Sequence, residues 1–228
     1  VASTRRDRLR QSTLNEIHAA ARRLLVEKGT SAVTINAVAR EVGMSGPALY
    51  HYYAGHEELV GAVTAGFFRE LAEAMESARD RRPEASLEVR LLETCRAMRA
   101  WCVAHPAEFG WIFASTPDPR PGSPRHEAGR AFEQVFTDLV VALWQAKPFP
   151  VPDLDTLDPS LQEQLETYSA AIGGVLPPAA VHVFLSCWIR LYGLLCMEVL
   201  HQLDFAYTDM APVFEECLSE LGEKLGFG

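Results

Sequence analysis

The chain is poor in positive charge. Its 228 residues carry 21 Lys and Arg against 30 Asp and Glu, a formal net charge of −9, which argues against a protein that coats nucleic acid with a broadly basic surface. Cysteine is sparse and unpatterned. Cys95, Cys102, Cys187, Cys196 and Cys217 are odd in number, widely spaced and without a CxxC pair, so they read as reduced core thiols of a cytosolic protein. Period-two alternation is nearly absent, which leaves no sheet to build. The opening VASTRRDRLRQST has no apolar core, so no signal peptide is expected there, and no internal repeat is visible. Catalytic and metal patterns are missing too. His182, Ser186 and Cys187 lie close together and His201 precedes Asp204, but neither group has a recognised metal or catalytic spacing. No enzyme, cofactor or metal centre is expected.

What is present is apolar and helical. Hydrophobic residues make up 48% of the chain, enough for a large core, and the length suits one small domain joined to one larger one. Positive charge gathers at one end. Residues 1–56 hold eight Lys and Arg against four Asp and Glu, while residues 57–228 hold 13 against 26, as a nucleic-acid contact confined to the head would require. Helical spacing recurs throughout. It predicts a first helix carrying Leu14, Ile17, Ala21, Leu24 and Leu25 and stopped by Gly29, and a second capped by Thr34 and ended by Gly43. A third begins at the Ser45 cap, and longer helices follow near 57–80, 85–105, 107–115, 125–147, 160–172, 178–202 and 210–226. Breaks fall at TPDPRPGSP, KPFPVPDLDTLDP, GGVLPP and LDFAYTD. The fold class is all-α. The most apolar stretch, Val181 to Leu200, could span a bilayer by length but carries His182, Arg190 and Glu198, so a helix buried on two faces is expected and no membrane contact.

Two short helices across a tight glycine turn are the parts of a helix-turn-helix. On a helical wheel, Gly46, Leu49 and Tyr53 share one side of the third helix, Pro47 and His51 fall opposite, and Ala48, Tyr50 and Tyr52 flank them. The run Tyr50, His51, Tyr52, Tyr53 therefore divides into an inner part that packs and an outer part free to meet a major groove. Pro47, in the first turn, removes an N–H that would have no helical partner. Pro47 and Ala48 suit a thymine methyl, His51 a base edge, and the Tyr50 hydroxyl a phosphate.

The segment 14–60, with its TINAVAREVGMS, PALYHYY and EEL, resembles the TetR family of transcriptional regulators. The resemblance implies a DNA-binding domain over 1–56 and a ligand-binding and dimerisation domain over 57–228. It implies a cytoplasmic homodimer that binds a palindromic double-stranded operator, acting as a repressor released by a small-molecule effector. The family's outward positions fall here on Ser45, Gly46, Pro47, Ala48, Tyr50, His51 and Tyr52. Two positions depart from the family pattern: Tyr53 replaces a phenylalanine, and His56 a phosphate-contacting lysine. His56 stays among the expected DNA contacts, but phosphate anchoring is expected to lean instead on Thr34, Tyr50 and the arginine arm Arg5, Arg6, Arg8 and Arg10.

The later helices resemble a subgroup of that family with a Trp, His, Gly signature, matched by Trp188 and Gly193 but with Tyr192 in the histidine position. A pocket lined by Phe67, Leu71, Met98, Trp101, Phe113, Trp144, Trp188 and Tyr192 would favour an apolar or aromatic effector. Ser186, Arg190, Gly193, Leu194 and Met197 form a second face of the 178–202 helix, and Phe214, Leu218, Leu221 and Leu225 a seam on the last. Both are expected at a four-helix dimer interface. Plain core packing of the aromatic residues, a DNA-binding protein without small-molecule control, and a metal sensor or enzyme are the alternatives.

Overall fold

The computed structural model describes residues 4–113 and 121–227. Residues 114–115 of the expected 107–115 helix and 116–120 of the expected TPDPRPGSP break lie outside that description. Ten α-helices are described: α1 (Arg5–Lys28), α2 (Ile35–Glu41), α3 (Gly46–Leu49), α4 (His56–Asp80), α5 (Leu87–Ala104), α6 (Pro106–Phe113), α7 (Pro124–Ala146), α8 (Pro159–Ala171), α9 (Pro178–Val199) and α10 (Ala211–Lys224). Two 3₁₀ turns add to them, and no strand occurs among the described residues.

Helix α1 begins earlier than the apolar period indicates. Thr4 and Asp7 form a reciprocal capping box, in which the Asp7 N–H donates to Thr4 Oγ1 at 3.2 Å and the Thr4 N–H to Asp7 Oδ2 at 3.0 Å. Arg5, Arg6, Arg8 and Arg10 are consequently helical residues of α1, not an extended arm. Gly29, at φ 81°, ends the helix, and its N–H donates to the Leu25 carbonyl at 2.9 Å.

The helices gather into two compact units, residues 1–72 with 105–132 and residues 73–104 with 133–228, to both of which α4 and α7 supply turns. The core of the first unit contains Ile17, Ala21, Val38, Leu49, Leu59, Leu71 and Phe109. Across it runs one ionic knot. Arg22 of α1 donates to Glu70 of α4 at 2.8 and 3.2 Å and to Glu108 of α6 at 2.5 Å, with Glu108 only 3% exposed. Burial opposes the Arg22 charge, but the hydrogen bonds to Glu70 and Glu108 outweigh it and raise the guanidinium pKa. The Phe67 ring lies 5.4 Å from the same guanidinium. Nearby, the Trp111 indole donates to Thr64 Oγ1 at 2.9 Å, and Thr64 donates to the Val60 carbonyl at 2.7 Å.

The second unit is built around α9, whose Cys187, Leu191, Leu195 and Val199 form a buried line at four-residue spacing. Met98, Trp101, Leu139, Leu165, Phe214 and Leu218 complete its core. α9 is long and apolar enough to cross a membrane, yet its charges are paired. Arg99 donates to Glu198 through three contacts of 2.5–3.1 Å, and Arg190 bonds Glu220.

Replacing Arg22 by Leu strands the Glu108 carboxylate and is expected to cost about 3 kcal/mol in urea denaturation. Glu108→Gln keeps a group able to bond Arg22 and is expected to cost less than half as much. Equal losses would show that a neutral amide cannot replace the carboxylate and that stranding the charge is not the larger cost.

Candidate functional site

The turn between α2 and α3 is a complete Schellman closure. Gly43, at φ 70°, donates its N–H to the Arg40 carbonyl at 3.2 Å, and the Met44 N–H reaches the Ala39 carbonyl at 2.8 Å. Thr34 caps α2 by accepting from the Ala37 N–H at 3.2 Å, and Ser45 caps α3 by accepting from the Ala48 N–H at 3.3 Å. Both hydroxyls keep a proton to donate outward. α3 is a single α-helical turn, and the chain continues in turns through Tyr50, His51 and Tyr52, so the reading segment is shorter than the wheel supposes.

The inner and outer division nevertheless appears as the wheel has it. Leu49 is 0% and Tyr53 5% exposed, whereas Tyr50 is 54% exposed. Ser45, Pro47 and His51 are exposed, and Gly46, Ala48 and Tyr52 half-buried. Gly46 lies close to α2: a Cβ there would come 2.8 Å from Asn36 Oδ1, so a larger residue would push the Asn36 side chain aside. Asn36 itself is exposed beside the reading segment, and no spacing in the sequence marks it.

Three side-chain contacts fix this surface. The Tyr53 hydroxyl is 2.7 Å from His18 Nε2 on α1, which supplies the partner that a buried tyrosine needs. Burial pushes the Tyr53 pKa up to about 12, with Glu58 adding to it. Burial, followed by the Arg69 charge, lowers the His18 pKa. His56 Nε2 lies 2.7 Å from the Val33 carbonyl. Because a carbonyl only accepts, His56 donates there, which ties the start of α4 to the backbone before α2. The third contact is electrostatic. Arg10 places its guanidinium 5.3 Å from the centre of the Tyr52 ring.

The other expected site residues separate between the two units. Phe67, Leu71 and Phe113 belong to the first, and Met98, Trp101, Trp144, Trp188 and Tyr192 to the second. Phe67, Leu71, Met98 and Trp101 are buried to 5% exposure or less. Phe113 packs on Phe109 at 4.9 Å between ring centres, Trp144 on Phe149 at 4.9 Å, and Trp188 stacks on Tyr192 at 5.7 Å. The eight therefore do not line one pocket within either unit.

The seam on α10 also differs from expectation. Phe214, Leu218, Leu221 and Leu225 are 1–8% exposed inside the chain's own second unit, so their apolar surface is already covered within the chain. On α9 the second face is open: Arg190 and Met197 are exposed, and Ser186, Gly193 and Leu194 half-buried. Ile189, at 67% exposure, is beside them. His182 and Ser186 line an open groove with Glu223 and Lys224, whose Nζ is 3.4 Å from Ser186 Oγ.

The His18 shift sets a pH dependence. A base held below its ordinary value of 6.5 by folding is protonated more readily when unfolded, so stability falls as pH drops below 6.5 towards the folded pKa. Wild-type protein is expected to lose stability over that window in a step that His18→Gln lacks. Urea titrations at a series of pH values check it.

Comparison with known proteins agrees with this geometry. Residues 17–63 match the model for bacterial regulatory proteins of the tetR family, and residues 91–221 the tetracyclin repressor-like C-terminal domain. The HTH-type transcriptional regulators Rv1816 of Mycobacterium tuberculosis and Mb1846 of Mycobacterium bovis are each 31% identical over 126 residues, 53% of this chain and 53% of theirs. The chain thus spans about half the length of the curated relatives it matches. Among solved structures, the regulatory protein SCO4313 is 29% identical with a TM-score of 0.72, over 96% of this chain and 98% of that one. A TetR family regulator from Marinobacter aquaeolei VT8, 17% identical, shares the fold with a TM-score of 0.60 over 95% and 97%. With a family match on the helix-turn-helix and another on more than half its length, the chain belongs to the TetR family of bacterial transcriptional regulators.

Proposed function

We propose that the protein is a ligand-responsive repressor that binds a palindromic operator as a cytoplasmic homodimer and is released by a small apolar or aromatic effector. The observation that carries the DNA-reading part is the sided segment 45–53: Leu49 and Tyr53 are anchored inward while Ser45, Pro47, Tyr50 and His51 are exposed. In this reading Pro47, Ala48 and His51 meet base edges. Thr34, Ser45, Tyr50 and Tyr52 meet phosphates, and Gly46 sets the approach. Arg5 and Arg6 add charge from the first turn of α1. His56 contributes by holding α4 to Val33 rather than as a phosphate cation. Function divides near residue 56, with reading before it and sensing and dimerisation after it.

The open face of α9 supports dimerisation. Ile189 and Met197 leave 67% and 47% of their surface uncovered, and a Cβ at Gly193 would meet nothing within 4 Å. A second copy is the natural cover for such a face. α4 supports coupling, because it starts next to the reading segment and supplies turns to both units. Two half-sites must meet successive major grooves roughly 34–36 Å apart, so a small pivot of α4 would spoil the fit without unfolding anything.

Sequencing the genomic fragments retained by the purified protein tests the reading directly, and recovery of no shared palindrome would overturn it. On a recovered operator, Tyr50→Phe is expected to weaken binding similarly across sequences. His51→Ala is expected to relax preference at one position per half-site, by roughly 1–3 kcal/mol. Gly193→Trp is expected to weaken dimerisation and operator binding together, as read by sedimentation and mobility shift. A variant that remains dimeric with unchanged binding would place the interface elsewhere.

A further inference from the structure

The second unit holds a cavity between α5, α7, α9 and α10, walled by Leu91, Phe136, Trp188, Leu191 and Leu218 among others, with no charged or amide side chain in its lining. Apart from the indole of Trp188, its polar side chains are the thiols of Cys95 and Cys187. Burial, with the neighbouring Cys187, pushes Cys95 up to about 12, and burial likewise raises Cys187, so neither carries charge near neutral pH. About 40 Å³ is left unfilled. So lined, it offers water almost no hydrogen-bond partners, and it is too small for benzene, which occupies a cavity of about 150 Å³ elsewhere.

One wall of this cavity is an aromatic ring beyond the end of α10, that of Phe227. Past α10, Gly226 takes φ 73°, its N–H donates to the Glu223 carbonyl at 3.1 Å, and the Phe227 N–H donates to the Gly222 carbonyl at 2.9 Å. This is a Schellman closure, which turns the residue after the glycine back against the helix three positions before its cap. That position is Gly222. A Cβ there would meet Phe227 Cδ2 at 2.9 Å, so the absence of a side chain at 222 is what seats the ring. Phe227 is only half-buried, while Gly222 beneath it is buried. If the ring swung out, the void would gain the volume of an aromatic group next to the Phe136–Trp188 pair, whose ring centres are 5.8 Å apart.

We infer that this cavity binds a small uncharged arene and that Phe227 is the built-in occupant that the arene displaces. The inference rests on the reading of the second unit as a sensor, and it names the ligand class and the side chain that yields. An anionic or strongly polar ligand finds no charged or amide partner in this lining and is disfavoured there. Because the ring must leave first, affinity is reduced by the fraction of time the seat is vacant.

The test uses the full chain with 4-fluorophenylalanine at position 227, titrated with toluene or with benzoate and followed by fluorine NMR. Toluene is expected to move the resonance towards its value in unfolded protein, and benzoate to leave it in place. Phe227→Ala, and separately Gly222→Ala, which crowds the ring out while keeping it, are each expected to bind toluene about tenfold more tightly than wild type. A fluorine resonance unmoved by toluene, an equal response to benzoate, or no tightening in either variant overturns the inference. Duplex binding is measured alongside. Wild-type protein that binds its duplex while the fluorine stays silent loses the cavity assignment alone. A toluene response in protein that binds no duplex leaves the cavity standing and removes the operator reading.

Discussion

A carboxylate as deeply buried as Glu108 must be met by a positive charge, and Arg22 meets it. Since Arg22 also holds Glu70, one side chain settles the relation of α1, α4 and α6 within the first unit. The rest of that unit depends on this setting. The same α1 carries Ile17 and Ala21, against which the short helices can close, and His18, whose ring meets the Tyr53 hydroxyl. The position of the reading segment is therefore inherited: its own single turn of helix makes too few internal hydrogen bonds to hold a shape without the helix beneath it.

Much of the fold is readable because several helices announce their ends chemically. Thr34, Gly43 and Ser45 were identified as caps and stop from residue type alone, and the structure gives each the corresponding hydrogen bond or positive φ. Residues 5–13 were not readable as helix because they hold almost no apolar side chain to mark a period. Their helix is declared by Thr4 and Asp7, a capping box with aspartate in place of the more usual glutamate or glutamine. The inner and outer split of the aromatic run was readable from helical spacing. The partners of its members were not: His18 precedes Tyr53 by 35 residues, and Asn36 precedes Gly46 by ten.

The larger helices show the limit of reading faces one helix at a time. An apolar seam states that a side is covered, not by whom. On α10 the seam of Phe214, Leu218 and Leu221 is covered by the chain itself, while the face of α9 with Ile189 and Met197 is left uncovered. Large aromatic residues are similarly ambiguous. Trp101 is closed into the core, whereas Trp188 faces a void. That void is bounded by Phe227, a residue beyond the last helix that no periodicity would single out.

The reading segment keeps two accounts of its residues strictly apart. Leu49, Tyr53 and the Gly46 contact hold it in place, and none of them needs to change for the outward set to change. Pro47, Tyr50 and His51 are exposed and lie outside the core, where substitutions commonly alter stability by no more than about 0.5 kcal/mol. Descendants of this chain can thus explore new outward triplets at nearly constant stability. On the proposed reading of that outward set, such a scaffold diversifies what it binds without first having to relearn how to fold.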